Sequence, residues 1–186
     1  MKAPIPLMIS SRIENPVIAE VLAILAGSLL MALLAQISFY LPFTPVPVTG
    51  QTFGVSLLAL LWGRKRAVAS FMLYLTEGYL GLPVFAHGQA FLQVGPTLGY
   101  LVGMLPAIWI VGGLADRRYP KTFLKALVSC YLGSMMIFLF GLAGLSYFVP
   151  SGSLIATGLL PFLPGDLIKN ILASAIALKM NAYAKK

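Results

Sequence analysis

Apolar residues run through this chain in long blocks, and short polar or proline-containing gaps separate one block from the next. An α-helix needs about 20 mainly apolar residues to cross a bilayer. Six blocks approach or exceed that length, namely 17–41, 46–62, 67–82, 91–114, 126–149 and 154–178. The pattern therefore predicts an all-α membrane protein with six transmembrane helices.

Two of the predicted spans contain residues that disfavour a regular helix. In the second span, Pro47 and Gly50 leave only about eleven regular helical residues, too few to cross a bilayer. In the sixth, Pro164 and Gly165 directly precede Asp166, and we expect a helix to begin again at Asp166, near mid-membrane. Irregular backbone at membrane depth is tolerated where protein buries it or where it lines an aqueous cavity. We therefore expect a cavity beside these two spans.

The first span carries small residues at four-residue intervals. Ala19, Ala23 and Gly27 follow one another at this spacing, and Ala35 lies in the same register. Small residues so arranged let a second helix approach closely. Two interpretations stay open: packing within this chain, or a surface for a partner subunit, for which this face is our candidate.

Basic residues occupy alternate gaps between the predicted spans. Lys and Arg collect on the cytoplasmic side of short loops, and the gaps after the first, third and fifth spans contain neither. Twelve of the thirteen basic residues lie before the first span or follow the second, fourth and sixth: Lys2, Arg12, Arg64, Lys65, Arg66, Arg117, Arg118, Lys121, Lys125, Lys179, Lys185 and Lys186. We predict a cytoplasmic N-terminal segment, 1–16, a single membrane domain, 17–181, and a cytoplasmic tail, 182–186.

The composition excludes a soluble protein and argues against nucleic-acid binding. Of the 186 residues, 59% are hydrophobic and only 10% are charged, whereas about a quarter of a soluble domain's residues are charged. The net charge of +8 is divided among four separate clusters and forms no single basic patch. Anionic lipid headgroups are the expected counter-ions. The chain is predicted to be a multi-pass protein of the cell membrane.

Motifs for catalysis and metal binding are missing from the sequence. It has no phosphate-binding loop of the form Gly-x-x-x-x-Gly-Lys-Ser/Thr and no Gly-x-Ser-x-Gly nucleophile turn. Its one histidine, His87, and one cysteine, Cys130, cannot supply a conventional metal site. We expect neither an enzyme nor a cofactor or metal.

One basic residue departs from the charge pattern. Lys169 lies inside the sixth apolar span, and Asp166 precedes it by three residues, on the same face of a helix. A charged side chain at bilayer depth costs roughly 2.5 to 3.5 kcal/mol, so such residues usually face a partner, a cavity or a substrate. Two interpretations remain: a self-neutralising pair that locks helices together, or a ligand-binding pair.

Polar residues within the spans are concentrated in their outer halves. Tyr74 and Glu77 lie near the outer end of the third span, and Gln93, Thr97 and Tyr100 in the outer part of the fourth. A pocket that opens to the outside is therefore expected, with apolar and aromatic walls around a few polar groups.

Four short motifs in the sequence resemble those of a known family. PVTGQTF at 47–53, GLPVF at 81–85, GPTLGY at 95–100 and PGDLIK at 164–169 occur in this order. Together they closely resemble the BioY family, the biotin-capturing S components of energy-coupling factor (ECF) transporters. The likeness covers roughly residues 37–180.

The resemblance implies an S-component-like bundle of six helices that holds biotin in an outward-facing pocket. It assigns ligand binding to Asp166 and Lys169, with Tyr100 lining the pocket. A carboxylate can accept from a ureido N–H of biotin while an ammonium donates to the ureido oxygen. The alternative orientation turns Lys169 toward the valerate carboxylate.

The chain departs from the family pattern at Gly95, where some members place a basic residue. The resemblance therefore leaves the valerate carboxylate without an arginine at this position. Gln93, Gln89 or His87 could supply neutral donors in its place, or the carboxylate could stay partly solvated.

The segment at 49–52 resembles the lid that the first outer loop forms in S components. Thr49 and Gln51 are therefore candidate ligand contacts, and the alternative is that they only cap the second helix. The family resemblance also implies a transmembrane coupling subunit and ATP-binding-cassette ATPases as partners. Rival interpretations are an S component for another vitamin and a stand-alone secondary transporter in which Asp166 and Glu77 relay protons.

Overall fold

The computed structural model describes residues 13, 15–90, 94–117 and 122–183. Within these ranges six helices have twelve residues or more: α1 Pro16–Gln36, α2 Gln51–Trp62, α3 Arg64–Tyr79, α4 Leu98–Asp116, α5 Phe123–Leu145 and α7 Leu163–Tyr183. A short helix, α6 Leu154–Gly158, precedes the last of them. The predicted all-α architecture with six long helices is confirmed, and four helical stretches are long and apolar enough to cross a membrane, namely α1, α4, α5 and the stretch from Ser151 to Ala182.

The first helix is shorter than the predicted span 17–41. The side chain of Asn15 accepts hydrogen bonds from the first turn of α1, and the helix ends at Gln36. Beyond it, the strand β1 Ser38–Phe39 pairs antiparallel with β2 Val48–Thr49. The chain thus leaves the helix because a two-stranded hairpin satisfies its backbone groups, and this hairpin forms the first outer loop.

The second helix has the predicted short length. Residues 46–50 are not helical, and α2 has 12 residues, or about 18 Å at 1.5 Å per residue. Every residue from Gly54 to Trp62 is buried, so α2 is the central helix of the bundle. Because a bilayer core is about 30 Å thick, α2 alone is too short to cross it.

The fourth predicted span begins too early. Its helix, α4, starts at Leu98 instead of residue 91, after a turn at Gly95 and Pro96. The residue before a proline is pushed away from helical backbone angles, which explains why the GPT segment lies before the helix. The remaining boundaries differ from the prediction by five residues or fewer; α3 and α5, for example, each begin three residues before the predicted spans.

The sixth span is broken, as the prolines predicted. The short helix α6 is followed by a 3-10 turn, Leu160–Phe162, and α7 then begins at Leu163. The restart is three residues earlier than predicted because Pro164 fits the first turn of a helix, where no N–H is needed. Asp166 still lies in that first turn, where the helix dipole favours a negative charge.

The small-residue face of α1 packs inside this chain. Ala19, Ala23 and Gly27 are buried, and the indole nitrogen of Trp62 donates to the Ala23 carbonyl over 2.6 Å. A Cβ placed on Gly27 would lie 2.7 Å from the Cβ of Ser70 on α3. Packing within the chain is therefore confirmed, and the prediction that this face is a partner surface is wrong, because α2 and α3 already cover it.

Candidate ligand-binding site

A cavity of about 380 Å³ lies above the N-terminus of α2. Its walls come from parts of segments 40–52, 85–89, 94–104, 137–138 and 162–169. It therefore lies between the first outer loop, the turn after α3, and helices α4, α5 and α7. Six of the seven residues predicted from the sequence line it: Thr49, Gln51, Gln89, Tyr100, Asp166 and Lys169. The seventh, Gln93, lies outside the described residues.

Lys169 reaches across the cavity from α7 to the first outer loop and the first turn of α2. Its Nζ donates to the backbone carbonyl of Thr49 over 2.7 Å and to Oγ1 of Thr52 over 3.1 Å. An ammonium group has three hydrogens, so one remains for another acceptor. Because Lys169 also lines the cavity wall, that hydrogen is available to a ligand.

Asp166 is held by neutral donors from two helices. Its carboxylate accepts from Oγ of Ser134 on α5 over 2.8 Å and from Nδ2 of Asn170 on α7 over 3.0 Å. Asn170 in turn accepts from Oγ of Ser56 on α2 over 3.1 Å. All four residues are buried, with Asp166 only 7% exposed. Asn170 lies four residues after Asp166 and so shares its helix face, but nothing in the sequence singled out Ser56 or Ser134.

Asp166 and Lys169 do not form an ion pair. Across the described part of the chain, a single ion pair has its nitrogen and oxygen within 4 Å of each other, and it joins Arg66 to Glu20. Each charge of the Asp166–Lys169 pair has its own neutral hydrogen-bond partners instead. The two charges therefore stand side by side in the cavity wall without a direct contact between them.

Thr49 and Gln51 line the cavity at the N-terminus of α2 and hydrogen-bond to each other. The Gln51 backbone N–H donates to the Thr49 hydroxyl, which donates to the Gln51 side-chain oxygen. The amide nitrogen of Gln51 donates to the Tyr74 hydroxyl over 2.7 Å. Tyr74 is fully buried and meets Phe85 edge-on at 5.3 Å. Thr49 thus accepts from the first N–H of α2, and the Gln51 side chain is fixed in place by Thr49 and Tyr74.

An aromatic stack that the sequence did not reveal forms part of the cavity wall. The rings of His87 and Tyr40 lie parallel, 4.7 Å apart and 7° from coplanar, and both line the cavity. His87 has a φ of 59°, unfavourable for a residue with a side chain. The turn is held because Ser38 accepts from the His87 N–H and Gln36 accepts from the Gly88 N–H.

Tyr100 contributes its ring to the cavity, while its hydroxyl is engaged elsewhere. The hydroxyl donates to the Gly158 carbonyl over 2.7 Å, at the end of α6. The ring lies 6.1 Å from that of Phe162 and is 8% exposed. Tyr100 therefore links α4 to the broken sixth span, and its polar atom already has a partner.

The cavity suits a small organic ligand with both hydrogen-bond donors and acceptors. It offers one carboxylate and one ammonium among aromatic and aliphatic walls. In the described residues no three His, Cys, Asp or Glu side chains come together as a group that could hold a metal ion. Its volume falls within the range of about 300 to 1,000 Å³ typical of small-molecule sites.

Known proteins resemble this chain over most of its length. The model of the BioY family matches residues 8–186. The chain is 37% identical to the biotin transporter BioY of Thermotoga maritima, over 75% of this chain and 83% of that protein. It is 30% identical to the biotin transporter BioY of Rhizobium etli, over 84% of this chain and 89% of that protein.

A solved structure shares the fold. The crystal structure of the S-component for biotin from an ECF-type ABC transporter superposes with a TM-score of 0.82 at 24% sequence identity, covering 91% of this chain and 94% of that one. The chain thus has the same overall fold as that protein. From the family match and the relatives, the chain belongs to the BioY family.

Proposed function

We propose that this chain is the membrane-embedded S component that captures biotin for an ECF-type transporter, and that it is not an enzyme. The observation that carries the proposal is the cavity in which Asp166 and Lys169 stand side by side with separate partners. The names of the relatives and of the structural neighbour support the same function.

The polar groups of the cavity complement the ureido ring of biotin. That ring presents N–H donors and one carbonyl acceptor, which a carboxylate and an ammonium match with charge-assisted hydrogen bonds. In the proposed complex, Asp166 accepts from a ureido N–H and Lys169 donates its remaining hydrogen to the ureido oxygen. Tyr100, Phe85 and Phe162 supply the apolar surface against which the fused rings pack.

The valerate carboxylate is proposed to lie near the His87–Tyr40 stack. Gly95 provides no cation there, and a Cβ added at Gly95 would meet nothing within 4 Å, so the position is open. His87 and Gln89 line the cavity and carry N–H groups that can donate to a carboxylate. Gln93 is a further proposed donor from the adjoining segment.

Transport itself is proposed to need partners. The sequence lacks a phosphate-binding loop, so the energy for uptake would come from ATP-binding-cassette ATPases through a transmembrane coupling subunit. Because α2 and α3 cover the small-residue face of α1, the coupling surface is proposed to lie elsewhere on the chain.

Competition for the site tests the identity of the ligand. Purified, detergent-solubilised protein is titrated with labelled biotin, and unlabelled biotin, thiamine and riboflavin compete in separate titrations. We expect only biotin to displace the label. Displacement by thiamine or riboflavin at comparable concentration would assign the chain to a different vitamin.

A further inference from the structure

Three buried side chains form a closed triangle of hydrogen bonds behind the cavity wall. The Ser134 hydroxyl donates to one oxygen of Asp166, and the Asn170 amide donates both to the other oxygen and to the Ser134 hydroxyl. Every one of these distances lies between 2.8 and 3.0 Å. The triangle joins α5 to α7 directly beside a residue that lines the cavity.

The direction of each hydrogen bond in the triangle is fixed by its neighbours. The Ser56 hydroxyl lies 3.1 Å from the side-chain oxygen of Asn170, to which it can donate. Turning the amide over would point its oxygen at the Asp166 carboxylate and place two acceptors together. The amide therefore presents both hydrogens to Ser134 and Asp166, and each carboxylate oxygen receives one donor.

We propose that Ser134 and Asn170 are positioning residues that hold Asp166 as a charged, acceptor-only group facing the cavity. Two donors stabilise the ionised carboxylate and fix its plane, so its remaining lone pairs select a ligand group that donates a hydrogen bond. The inference rests on the proposed function, because it identifies that group as a ureido N–H of biotin. Ser56 extends the support by orienting Asn170.

The same face of α7 offers a matched control. Ser174 lies one turn beyond Asn170, is fully buried and contacts the sulfur of Cys130 at 3.7 Å. Among the described residues its polar contact is with Cys130 and not with the triangle. Ser174→Ala therefore removes a buried hydroxyl from the same helix without touching the support of Asp166.

The decisive comparison is between Ser134→Thr and Ser134→Val, which have nearly the same shape and differ in the hydroxyl. Biotin affinity and thermal unfolding are measured for both, for the wild-type protein and for Ser174→Ala. We expect Ser134→Thr to bind about tenfold or more tightly than Ser134→Val, the effect of a hydrogen bond to a charged group. Ser174→Ala should bind within about twofold of wild type.

Equal affinity of folded Ser134→Thr and Ser134→Val would overturn the inference, since packing alone would then explain the position. If the extra methyl group prevents both from folding, Ser134→Ala takes their place. It should bind about tenfold more weakly than Ser174→Ala, and equal affinities would reject the inference. Failure of the wild-type protein to bind biotin would instead reject the proposed function itself. This outcome differs from failure of the inference because it is seen without any variant.

Discussion

The ammonium group of Lys169 donates to the backbone carbonyl of Thr49 over 2.7 Å, joining residues that are 120 positions apart. Thr49 belongs to the hairpin of the first outer loop, and Lys169 to the last helix. One charged side chain thus ties the loop above the cavity to the cavity wall. A ligand that accepts from Lys169 binds to the group that also holds this loop.

The second hydrogen bond of Lys169, to Thr52 in the first turn of α2, should contribute to both stability and binding. Thr52→Val removes the hydroxyl that accepts from Nζ but keeps the branched shape. We expect its thermal unfolding to show a loss of about 1 kcal/mol, and biotin to bind several-fold more weakly. Thr52→Ser retains the acceptor and serves as the control. Wild-type stability and affinity in Thr52→Val would show that the bond is unimportant.

The Tyr100 hydroxyl should stabilise the break in the sixth span. Tyr100→Phe leaves the Gly158 carbonyl without this donor, and an unsatisfied buried acceptor costs about 1 to 3 kcal/mol. Thermal unfolding of the purified protein should reveal a loss within this range. The matched control is Tyr147→Phe, since Tyr147 is 88% exposed. Equal stability of the two variants would contradict a structural role for the hydroxyl.

Close packing of α4 against α5 should make Gly103 intolerant of a side chain. A Cβ there would lie 2.9 Å from the Cα of Ile137 and equally close to the Met136 carbonyl oxygen. Gly103→Ala should therefore destabilise the protein by about 1 to 3 kcal/mol, measured by thermal unfolding. In Gly152→Ala the added Cβ meets nothing within 4 Å, and stability should not fall. If Gly103→Ala left the stability unchanged, α4 and α5 would have to separate easily.

Much of the architecture could be predicted from the sequence because a bilayer imposes simple rules. Apolar length alone identified six helices, and Pro47 with Gly50 identified the short α2. The prolines before Asp166 placed the break in the sixth span to within three residues. The predicted site residues that lie in the described ranges also came together around one cavity.

Features that depend on contacts between distant segments could not be predicted. The hairpin pairs β1, at the end of the first apolar block, with β2, at the start of the second, and hydropathy carries no signal for such pairing. Serines are common in membrane helices, so Ser134 gave no hint that it contacts Asp166. Nor does spacing reveal whether small residues such as Ala23 face the same chain or a partner.

The alternating basic gaps predict both termini in the cytoplasm, and cysteine labelling can test this orientation. In a Cys130→Ala background, Ser151→Cys should react with an impermeant thiol reagent added to intact cells. Lys65→Cys should react only after the membrane is opened. Both Ser151 and Lys65 are exposed in the structure, so burial would not explain a difference. The reverse labelling would overturn the orientation.

Equilibrium binding of biotin to the purified protein, with Asp166→Asn, Lys169→Met and the double variant beside the wild type, tests the central claim most directly. We expect saturable binding by the wild type and a loss of at least about 1.5 kcal/mol in each single variant, the lower range for hydrogen bonds to charged groups. The double variant removes both charges and so leaves no stranded ion in the membrane, but it cannot recover the ligand contacts. A well-folded double variant with wild-type affinity for biotin would contradict the assignment of this site.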